Sequence, residues 1–431
     1  MKMSENVKVL EGWKRVKLGE VLSISRIPDN EKDPNKRITV RLWNKGVFAR
    51  EVREVELNRE KESTIYYKRK AGQFIYGKQN LVRGAFGVIP PELDGYCSTS
   101  DVPSFDVSKN LDVYYLDYTL RTLYKAFSLY EKGTGSKRVH EKDFLSFEIF
   151  LPPIFEQQKI AEILKTVDRA IEKTGKIIEK YKRIKQGLMQ DLLTKGVVSE
   201  GEGESEKWRL RNEKIDKFKD SPLGRIPEEW EVVRLGETGR IVSGATPDTS
   251  KPQFWNGDIV WVTPDDLSKQ KKYIYTSQRK ISKDGLNSCA AKIIPRDSIV
   301  LSSRAPIGYL SIVKTNYATN QGCKSIILNK NYYDEDFFYY CLHRYINKMI
   351  SLGSGTTFNE ISKSQLAKLE VKVPCLLSEQ HRIASILSQI DEVIEKEQAY
   401  KEKLERVKKG LMEDLLTGKV RVNHLIEEEE K

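Results

Sequence analysis

Two stretches decide the fold: EQQKIAEILKTVDRAIEK, from Glu156 to Lys173, and EQHRIASILSQIDEVIEK, from Glu379 to Lys396. The first opens a proline-free segment that runs to Leu193 and is long enough for a helix of about 57 Å. Apolar residues recur along it in alternating steps of four and three, which is the spacing of a coiled-coil seam. The segment therefore predicts a long α-helix that packs against another helix, and the second stretch is the obvious partner.

The predicted seam residues of the first helix are Ile160, Leu164, Val167, Ile171, Thr174, Ile178, Tyr181, Ile184 and Leu188. The step from Tyr181 to Ile184 is a second consecutive step of three residues, which overwinds the seam locally. The second helix repeats the stripe at Ile383, Leu387, Ile390, Ile394, Leu404, Val407 and Leu411. Glu397 and Lys401 interrupt it, and we expect them to fix the register. Each helix could also pack only on its own domain, but a period of 3.5 favours a helical partner.

Other segments of the two halves match in the same order, which indicates a tandem duplication. They are GWKRVKLGE at Gly12 with EWEVVRLGE at Glu229, FEIFLPP at Phe147 with LEVKVPC at Leu369, and KQGLMQDLLT at Lys185 with KKGLMEDLLT at Lys408. Between the first two pairs the halves barely match. Two different domains are therefore enclosed by one repeated frame, which consists of these matching segments and the two long helices. A pair of nearly identical helices predicts an approximate two-fold axis.

Each variable region follows one plan. Short β-like runs come first: STIYYK, QFIYGK and AFGVIP in one half, and DIVWVTP, SIVLSSR and LSIVKT in the other. A helix-like segment near 117–130 or 334–350 follows, then a Gly-x-Gly turn (Gly133 and Gly135, or Gly353 and Gly355) and a last strand. The fold class is α+β. Its predicted segments are a first globular domain 1–152, a first long helix 153–196, a linker 197–225, a second globular domain 226–374, a second long helix 375–418 and a charged tail 419–431.

Composition narrows the function. The net charge is +12 and the pI about 9.1. This charge is equally compatible with a polyanionic partner and with a lysine-rich, soluble surface. Five scattered cysteines and four distant histidines predict neither a disulfide framework nor a zinc site. We expect no membrane segment, no signal peptide and a cytoplasmic protein.

Sequence signals for catalysis are weak. P-loop, nucleophile-elbow, zinc-protease and adenine-methylase motifs are missing. Glu370-x-Lys372 loosely resembles a nuclease carboxylate–lysine strand, but the paired strand has Phe150 in place of the lysine, so we interpret both residues as strand surface. We predict no catalytic residue and no metal site.

The matching helix ends predict a buried contact, either inside the chain or with two copies of one partner subunit, and we favour the partner. The residues of this predicted docking surface are Leu188, Met189, Leu192, Leu193, Leu411, Met412, Leu415 and Leu416.

Nearly the whole chain resembles the specificity subunit of Type I DNA restriction–modification systems. The resemblance rests on the paired helix starts and ends quoted above, and on AFGVIPPELDG at Ala85, IPEEWEVVRLGE at Ile226, SGATPDTSKPQFWNGDIVWVTPDDL at Ser243 and LSSRAPIGY at Leu301. It implies two target-recognition domains, each reading one half of an asymmetric, gapped site in double-stranded DNA. It also implies antiparallel long helices that hold those domains at a fixed separation.

The resemblance implies two modification (methylase) subunits as partners, with restriction subunits in the full complex. This chain would bind no cofactor, since S-adenosylmethionine, magnesium and ATP would belong to those partners. Both the residues and the resemblance then predict that the domains read the half-sites while the helix pair sets the gap.

Candidates for DNA contact are the Arg, Lys, amide and hydroxyl side chains that follow β-like runs. They are Lys78, Gln79, Asn80 and Arg83 in the first half, and Ser302, Ser303, Arg304, Asn320, Gln321 and Lys324 in the second. Each could instead be an ordinary loop residue. Trp255 and Trp261 are expected in a core. Two other functions stay open: a coiled-coil scaffold with two protein-binding domains, and a nuclease built on Glu370 and Lys372.

Overall fold

The computed structural model describes residues 10–31, 33–51, 64–201, 207–269, 271–304, 306–353 and 359–425. They form two compact units: unit 1 is Met1–Gly175 with Ala399–Lys431, and unit 2 is Lys176–Gln398. Each unit thus holds one globular domain, the first part of the helix that follows it and the last part of the other long helix. Residues 202–206 of the predicted linker, Ala305, Gly355 and the tail from 426 lie outside the described residues.

Within the described residues, the globular part of unit 1 contains short strands and three short α-helices. The strands are β1 Lys14–Lys17, β2 Leu22–Ser25, β3 Ile27–Pro28, β4 Ile38–Arg41, β5 Gly46–Ala49, β6 Tyr66–Lys68, β7 Phe74–Tyr76, β8 Phe86–Val88, β9 Cys97–Thr99, β10 Ser104–Val107 and β11 Glu148–Leu151. The helices are α1 Leu18–Val21, α2 Val113–Leu123 and α3 Glu141–Leu145, followed by the first long helix, α4 Ile154–Leu192.

Unit 2 has a longer set of strands. They are β12 Val197–Glu200, β13 Lys207–Leu210, β14 Phe218–Lys219, β15 Ile226–Pro227, β16 Trp230–Arg234, β17 Gly239–Ser243, β18 Trp255–Val262, β19 Tyr273–Ile274, β20 Lys280–Ile281, β21 Ser298–Ser302, β22 Leu310–Val313, β23 Tyr317–Thr319, β24 Cys323–Leu328 and β25 Glu370–Pro374. The helices are α5 Pro264–Ser268, α6 Lys283–Asn287, α7 Glu335–His343, α8 Ile346–Gly353, α9 Lys363–Ala367 and the second long helix, α10 Leu377–Leu416.

Each domain has its own central sheet, and the two sheets have the same strand order although the domain sequences differ. In unit 1 the strand order is β2-β10-β7-β8, and in unit 2 it is β17-β24-β21-β22, with β19 added in parallel at the edge. A separate antiparallel pair, β1 with β11 or β16 with β25, joins the start of each domain to its last strand. The six β-like runs are confirmed as strands. The predicted helix-like segments are shorter than expected: α2 passes into 3₁₀ turns at Tyr124–Tyr130, and a break separates α7 from α8.

The long helices pack antiparallel, as predicted. In unit 1, Asp168 of α4 lies 2.6 Å from the Lys408 ammonium of α10, and Lys401 Nζ lies 4.0 Å from where a side chain on Gly175 would begin. In unit 2, Lys185 of α4 pairs with Asp391 of α10 at 2.6 Å. Residue numbers therefore rise along one helix as they fall along the other.

Most seam residues are buried or half-buried, but Ile184 and Val407 are 38% and 43% exposed. These two predicted seam members occupy the same place in the two copies. A three-residue step falls about 60° short of a full helical turn at ~100° per residue, and here it follows another three-residue step. The apolar stripe therefore rotates off the seam at this point.

A Tyr–Asp–Lys cluster fixes each domain to both long helices. In unit 1 the Tyr118 hydroxyl of α2 donates to Asp168 Oδ2 at 2.7 Å, and Asp168 also pairs with Lys408. In unit 2 the Tyr340 hydroxyl of α7 donates to Asp391 Oδ2 at 2.7 Å, and Asp391 also pairs with Lys185. The same three residue types in the same roles show that the duplicated frame is a set of side-chain contacts as well as a sequence pattern.

The Glu-Gln pair at the start of each long helix organises a second junction. Glu156 is 2% exposed; it accepts from the Trp13 indole Nε1 at 3.1 Å and from Arg421 at 2.6 and 2.9 Å. Glu379 is 1% exposed; it accepts from the Trp230 indole Nε1 at 3.0 Å and from both Arg211 Nη atoms. In each unit the arginine follows the end of the other long helix, so the junction joins one helix start to the other helix end.

The glutamines hold the adjacent backbone. The Gln157 amide donates to the carbonyl oxygens of Pro152 and Asn110 and accepts from the Asp112 N–H at 2.9 Å. Gln380 makes the equivalent bonds to Pro374, Tyr332 and Asp334. Asp112 and Asp334 cap the N-termini of α2 and α7, so each glutamine links a long helix to the helix that carries the Tyr–Asp–Lys cluster.

Replacing the arginine of this junction should destabilise unit 2 more than unit 1. The Arg211 side chain is 4% exposed, whereas that of Arg421 is 29% exposed. Removing one partner of a buried pair leaves the other charge without compensation and costs roughly 3–5 kcal/mol, and less where water reaches it. Arg211→Met should therefore lower the free energy of unfolding clearly more than Arg421→Met, measured by urea unfolding with hydrogen exchange to assign each unit. Equal losses would contradict the asymmetry.

Acid should destabilise unit 2 through His343, at the end of α7. Burial, and then the nearby Lys185 charge, lower the pKa of His343 from 6.5 to about 4, and its ring lies against Tyr339 at 4.7 Å. The folded state thus binds fewer protons than the unfolded state between these values, so stability is complete above pH 6.5 and falls as the pH drops toward 4. We expect wild-type protein to lose ~3 kcal/mol more than His343→Gln across this window in urea titrations. Parallel losses in both proteins would refute the assignment.

Candidate nucleic-acid interface

The loop after β7 begins with an internal lysine. The Lys78 side chain is about 10% exposed, and its Nζ lies 2.9 Å from Oε1 of Glu141, the first residue of α3. Its backbone N–H donates to Asp101 and its carbonyl accepts from Val139, which ties the loop down. Lys78 thus lies where it orders the loop, and a DNA contact through its ammonium would require the ion pair with Glu141 to open.

The rest of this loop faces solvent. Gln79 and Arg83 are exposed, and Asn80 is half-buried. Asn80 precedes the 3₁₀ turn Leu81–Arg83, and its carbonyl oxygen accepts from Arg83 and Ala85, so Arg83 stands on a well-ordered turn. Among the described residues, Arg83 has no ion-pair partner. The loop therefore presents one uncompensated guanidinium beside two amides.

The corresponding strand of unit 2, β21, ends at the buried Ser302, and the buried Ser303 follows it. The Ser302 hydroxyl donates to Pro306 and accepts from the Tyr309 N–H, so it closes the turn after the strand. Ser303 is also fully buried, and its hydroxyl accepts from Lys324 Nζ at 3.2 Å. Both serines lie inside the domain, and the sequence could not distinguish this position from an exposed loop.

Glu360 lies beside the two cationic residues of unit 2 that are candidates for DNA contact. Lys324 Nζ lies 3.0 Å from Glu360 Oε1 and is buried, while Arg304 Nη1 lies 4.0 Å from Glu360 Oε2 with its side chain 39% exposed. Two cations thus face one carboxylate, which leaves net positive charge at the surface. Arg304 carries that charge to solvent, and a phosphate contact through Lys324 would require its present bonds to break.

The two amides of unit 2 lie next to this cluster. The Asn320 side-chain oxygen accepts from the Gly322 N–H at 3.0 Å and shapes the turn before β24. Gln321 is exposed, and its side chain accepts from Thr246 Oγ1. The structure thus brings Ser303, Arg304, Asn320, Gln321 and Lys324 together, and Arg304 and Gln321 are the members that reach the surface.

Unit 1 also contains a basic hairpin that the predicted β-like runs do not include. Strands β4 and β5 form an antiparallel hairpin whose tip, with Trp43 65% exposed, hydrogen-bonds the Arg83 turn. The signal was present in the sequence as alternating residues on either side of Asn44-Lys45-Gly46. The two tryptophans of unit 2 behave as expected: Trp255 and Trp261 pack edge to face in a core, with the Arg279 guanidinium 3.7 Å above Trp255.

The helix ends predicted to dock a partner lie largely inside the chain. Leu192 and Leu193 belong to the core of unit 2, and Leu415 and Leu416 belong to the core of unit 1. Leu188, Met189, Leu411 and Met412 are half-buried against the same cores. Internal packing of each helix end on the domain of the other half accounts for the repeated sequence, because both ends meet the same frame. The half-buried residues are what such a docking surface would retain.

Glu370 and Lys372 are half-buried and lie on one face of β25, opposite the buried Val371, as strand-surface residues do. Lys372 Nζ lies 3.4 Å from the Arg225 carbonyl oxygen. Within the described ranges, no cluster of three or more His, Cys, Asp or Glu side chains is placed to hold a metal. Nor does any helix there have the length and apolar character needed to cross a membrane.

Comparison with known proteins gives a consistent result. The profile of the family described as "Type I restriction modification DNA specificity domain" matches residues 10–182 and 227–406, once in each half. The Type I restriction enzyme MjaIX specificity subunit of Methanocaldococcus jannaschii is 36% identical over 193 residues, 44% of each chain. The MjaVIII specificity subunit of the same organism is 27% identical over 444 residues, which cover 98% of this chain and 96% of that protein.

A solved structure shares the fold along the whole chain. The S subunit of a Type I restriction–modification system from M. genitalium superposes with a TM-score of 0.59 at 12% identity, covering 96% of this chain and 98% of that one. Two profile matches that together span most of the sequence establish the family. The chain belongs to the specificity subunits of Type I restriction–modification systems.

Proposed function

We propose that this chain reads an asymmetric bipartite site in double-stranded DNA. Each target-recognition domain reads one half-site, and the length of the paired long helices sets the gap between them. The chain itself performs no catalytic step. Its action is to place partner subunits on a chosen sequence.

The observation that supports this proposal most strongly is that the repeated frame contacts are the same in both units while the loop surfaces of the two domains differ. The Tyr–Asp–Lys clusters and the Glu–Trp–Arg junctions are the same in both units. The surfaces they hold differ: a loop around Arg83 in unit 1, and a cluster around Arg304 and Glu360 in unit 2. Two different half-sites require two different surfaces that are held by equivalent contacts. A scaffold for two identical partners would not need its two surfaces to differ.

Charge supports DNA as the ligand. The net charge of +12 suits a polyanion, and phosphate contacts by Lys and Arg make such binding fall steeply with salt. Guanidinium groups can also donate two hydrogen bonds to guanine in the major groove. Arg83 and Arg304 reach solvent in their respective domains, so we assign them to base reading. Lys78 and Lys324 then act as internal supports for the loops.

Two copies of a modification (methylase) subunit would bind the duplicated frame, one per repeat, and restriction subunits would complete the assembly. S-adenosylmethionine, magnesium and ATP would be bound by those partners. The alternative, a protein-interaction scaffold, predicts partner binding with no salt-sensitive affinity for DNA.

The decisive experiment maps N6-methyladenine in DNA from cells that express this chain with its methylase, against cells that lack this chain. We expect methylation at one bipartite motif with a constant gap. Arg83→Ala should relax one position in one half-site and Arg304→Ala one position in the other, each at a cost of ~1–3 kcal/mol in binding. The domains act separately, so neither substitution should alter the other half-site.

Arg15→Ala serves as the matched control, because Arg15 is a surface arginine of unit 1 whose side chain is 41% exposed and paired with Glu148 on the β1–β11 sheet. It should leave the motif unchanged. Methylation at no motif by a folded complex would refute DNA reading. An equal loss on all sequences after Arg304→Ala would instead assign this residue to the phosphate backbone.

A further inference from the structure

The hairpin of β4 and β5 ends in a strained turn. Leu42 to Lys45 connect the strands, the Lys45 N–H donates to the Leu42 carbonyl at 3.4 Å, and the central residues have positive φ: 62° at Trp43 and 56° at Asn44. Two central residues with positive φ define a type I′ turn. Asparagine tolerates this conformation, but a bulky aromatic residue there is a true outlier. The protein therefore keeps a tryptophan where glycine would be less strained.

The turn is held in place by the loop predicted to contact DNA. The Trp43 N–H donates to the Arg83 carbonyl at 2.8 Å, and the Asn44 N–H donates to the Gly84 carbonyl at 3.0 Å. Gly84 has a φ of 74°, and a Cβ added to it would lie 2.5 Å from the Asn44 side-chain oxygen. The contact thus needs glycine at this position. Trp43 and Arg83 are therefore parts of one ordered surface.

The charge of this surface is one-sided. Between Lys36 and Arg50 the chain has five cationic side chains and no carboxylate. Arg37 is buried against Asp29, whereas Lys36, Arg41 and Lys45 are exposed. Arg41 lies opposite Gly46 at the turn end of the hairpin, Lys45 lies in the turn, and Arg83 contacts the turn through its carbonyl oxygen. These cations therefore lie beside an indole that is 65% exposed. A single exposed aromatic residue is common on protein surfaces, but one held in a strained turn among cations fits a negatively charged partner with apolar faces.

We propose that the hairpin Ile38–Ala49 enters a groove of the DNA and places the Trp43 indole against the bases of the half-site that unit 1 reads. A two-stranded ribbon fits the major groove, where cations at the ribbon edges reach phosphates and the tip reaches base edges and thymine methyl groups. This inference rests on the proposed DNA-reading function. It adds a base-contacting residue beside Arg83.

Trp43→Gly tests the inference sharply, because stability and binding should change independently. Glycine adopts the positive φ without strain, so the melting temperature of the variant should equal or exceed that of the wild type. Affinity of the methylase complex for duplexes with the mapped motif should fall about 5- to 150-fold, the range for losing the specific contacts at one base pair of a duplex site. Trp43→Ala should show the same loss of affinity.

Two further readouts separate base contact from backbone contact. Selection from a randomised library should show relaxed positions in one half-site for both Trp43 variants. In the wild-type complex, DNA should protect indole fluorescence from acrylamide, and Trp43→Phe should remove most of that protection. Phe155→Ala is the matched control: Phe155 is an aromatic residue of unit 1 with 66% exposure, and its loss should change neither affinity nor motif.

Wild-type affinity and an unchanged motif in both Trp43 variants would overturn the inference, and so would a loss that is equal on all duplexes, including those without the motif. Failure of the proposed function looks different, because the wild-type complex would then mark no bipartite motif at all. The two failures are therefore distinguishable in the same experiment.

Discussion

The rest of the structure depends on the hydrogen bonds that tryptophan and arginine donate to the buried glutamate at the start of each long helix. Glu156 and Glu379 each accept hydrogen bonds from a tryptophan of their own domain and from an arginine that follows the end of the other long helix. A carboxylate with so little exposure is tolerated only when it is fully paired, so burial of the glutamate requires the tryptophan and the arginine to be in place as well. This requirement ties a domain, the helix after it and the end of the distant repeat into one unit. It also explains why the units do not follow the order of segments along the chain.

Once the frame is fixed by these contacts, the domain surfaces can change. The cores already differ: unit 1 is filled by a cluster of aromatic rings that includes Phe74, Phe105 and Phe144, while the core of unit 2 is richer in aliphatic side chains. The central sheets nevertheless keep the same strand order. The loops at the ends of β7 and β21 therefore occupy the same place in the sheet with different sequences. Such an arrangement supports the proposal that each domain reads its own half-site, because the loops can diverge while the contacts that hold the domains stay constant.

Much of this architecture is predictable from the sequence. The helix period, the repeated helix starts and ends, and the β-like runs give the α+β class and the antiparallel pair, because period and proline placement act locally. The site is harder to predict from the sequence, because the exposure of a side chain depends on the tertiary structure. Lys78 and Lys324 are residue types that often contact DNA, but here they form ion pairs with Glu141 and Glu360, which are distant in sequence. The leucines at the helix ends suggested a partner because sequence shows only that they are apolar, not which surface covers them. The Trp43 hairpin was missed since its turn uses a residue that the turn type disfavours.

The central claim is that the domains hold the sequence information and the helices hold the spacing. It is tested most directly by inserting seven residues into both long helices, between Gly175 and Lys176 and between Gln398 and Ala399, where each helix passes from one unit to the other. A heptad keeps the seam in register and adds about 10.5 Å, or roughly three base pairs at ~3.4 Å each. Mapping of methylated sites should return both half-sites unchanged with the gap lengthened by about three base pairs. Altered half-sites with the original gap would contradict the account.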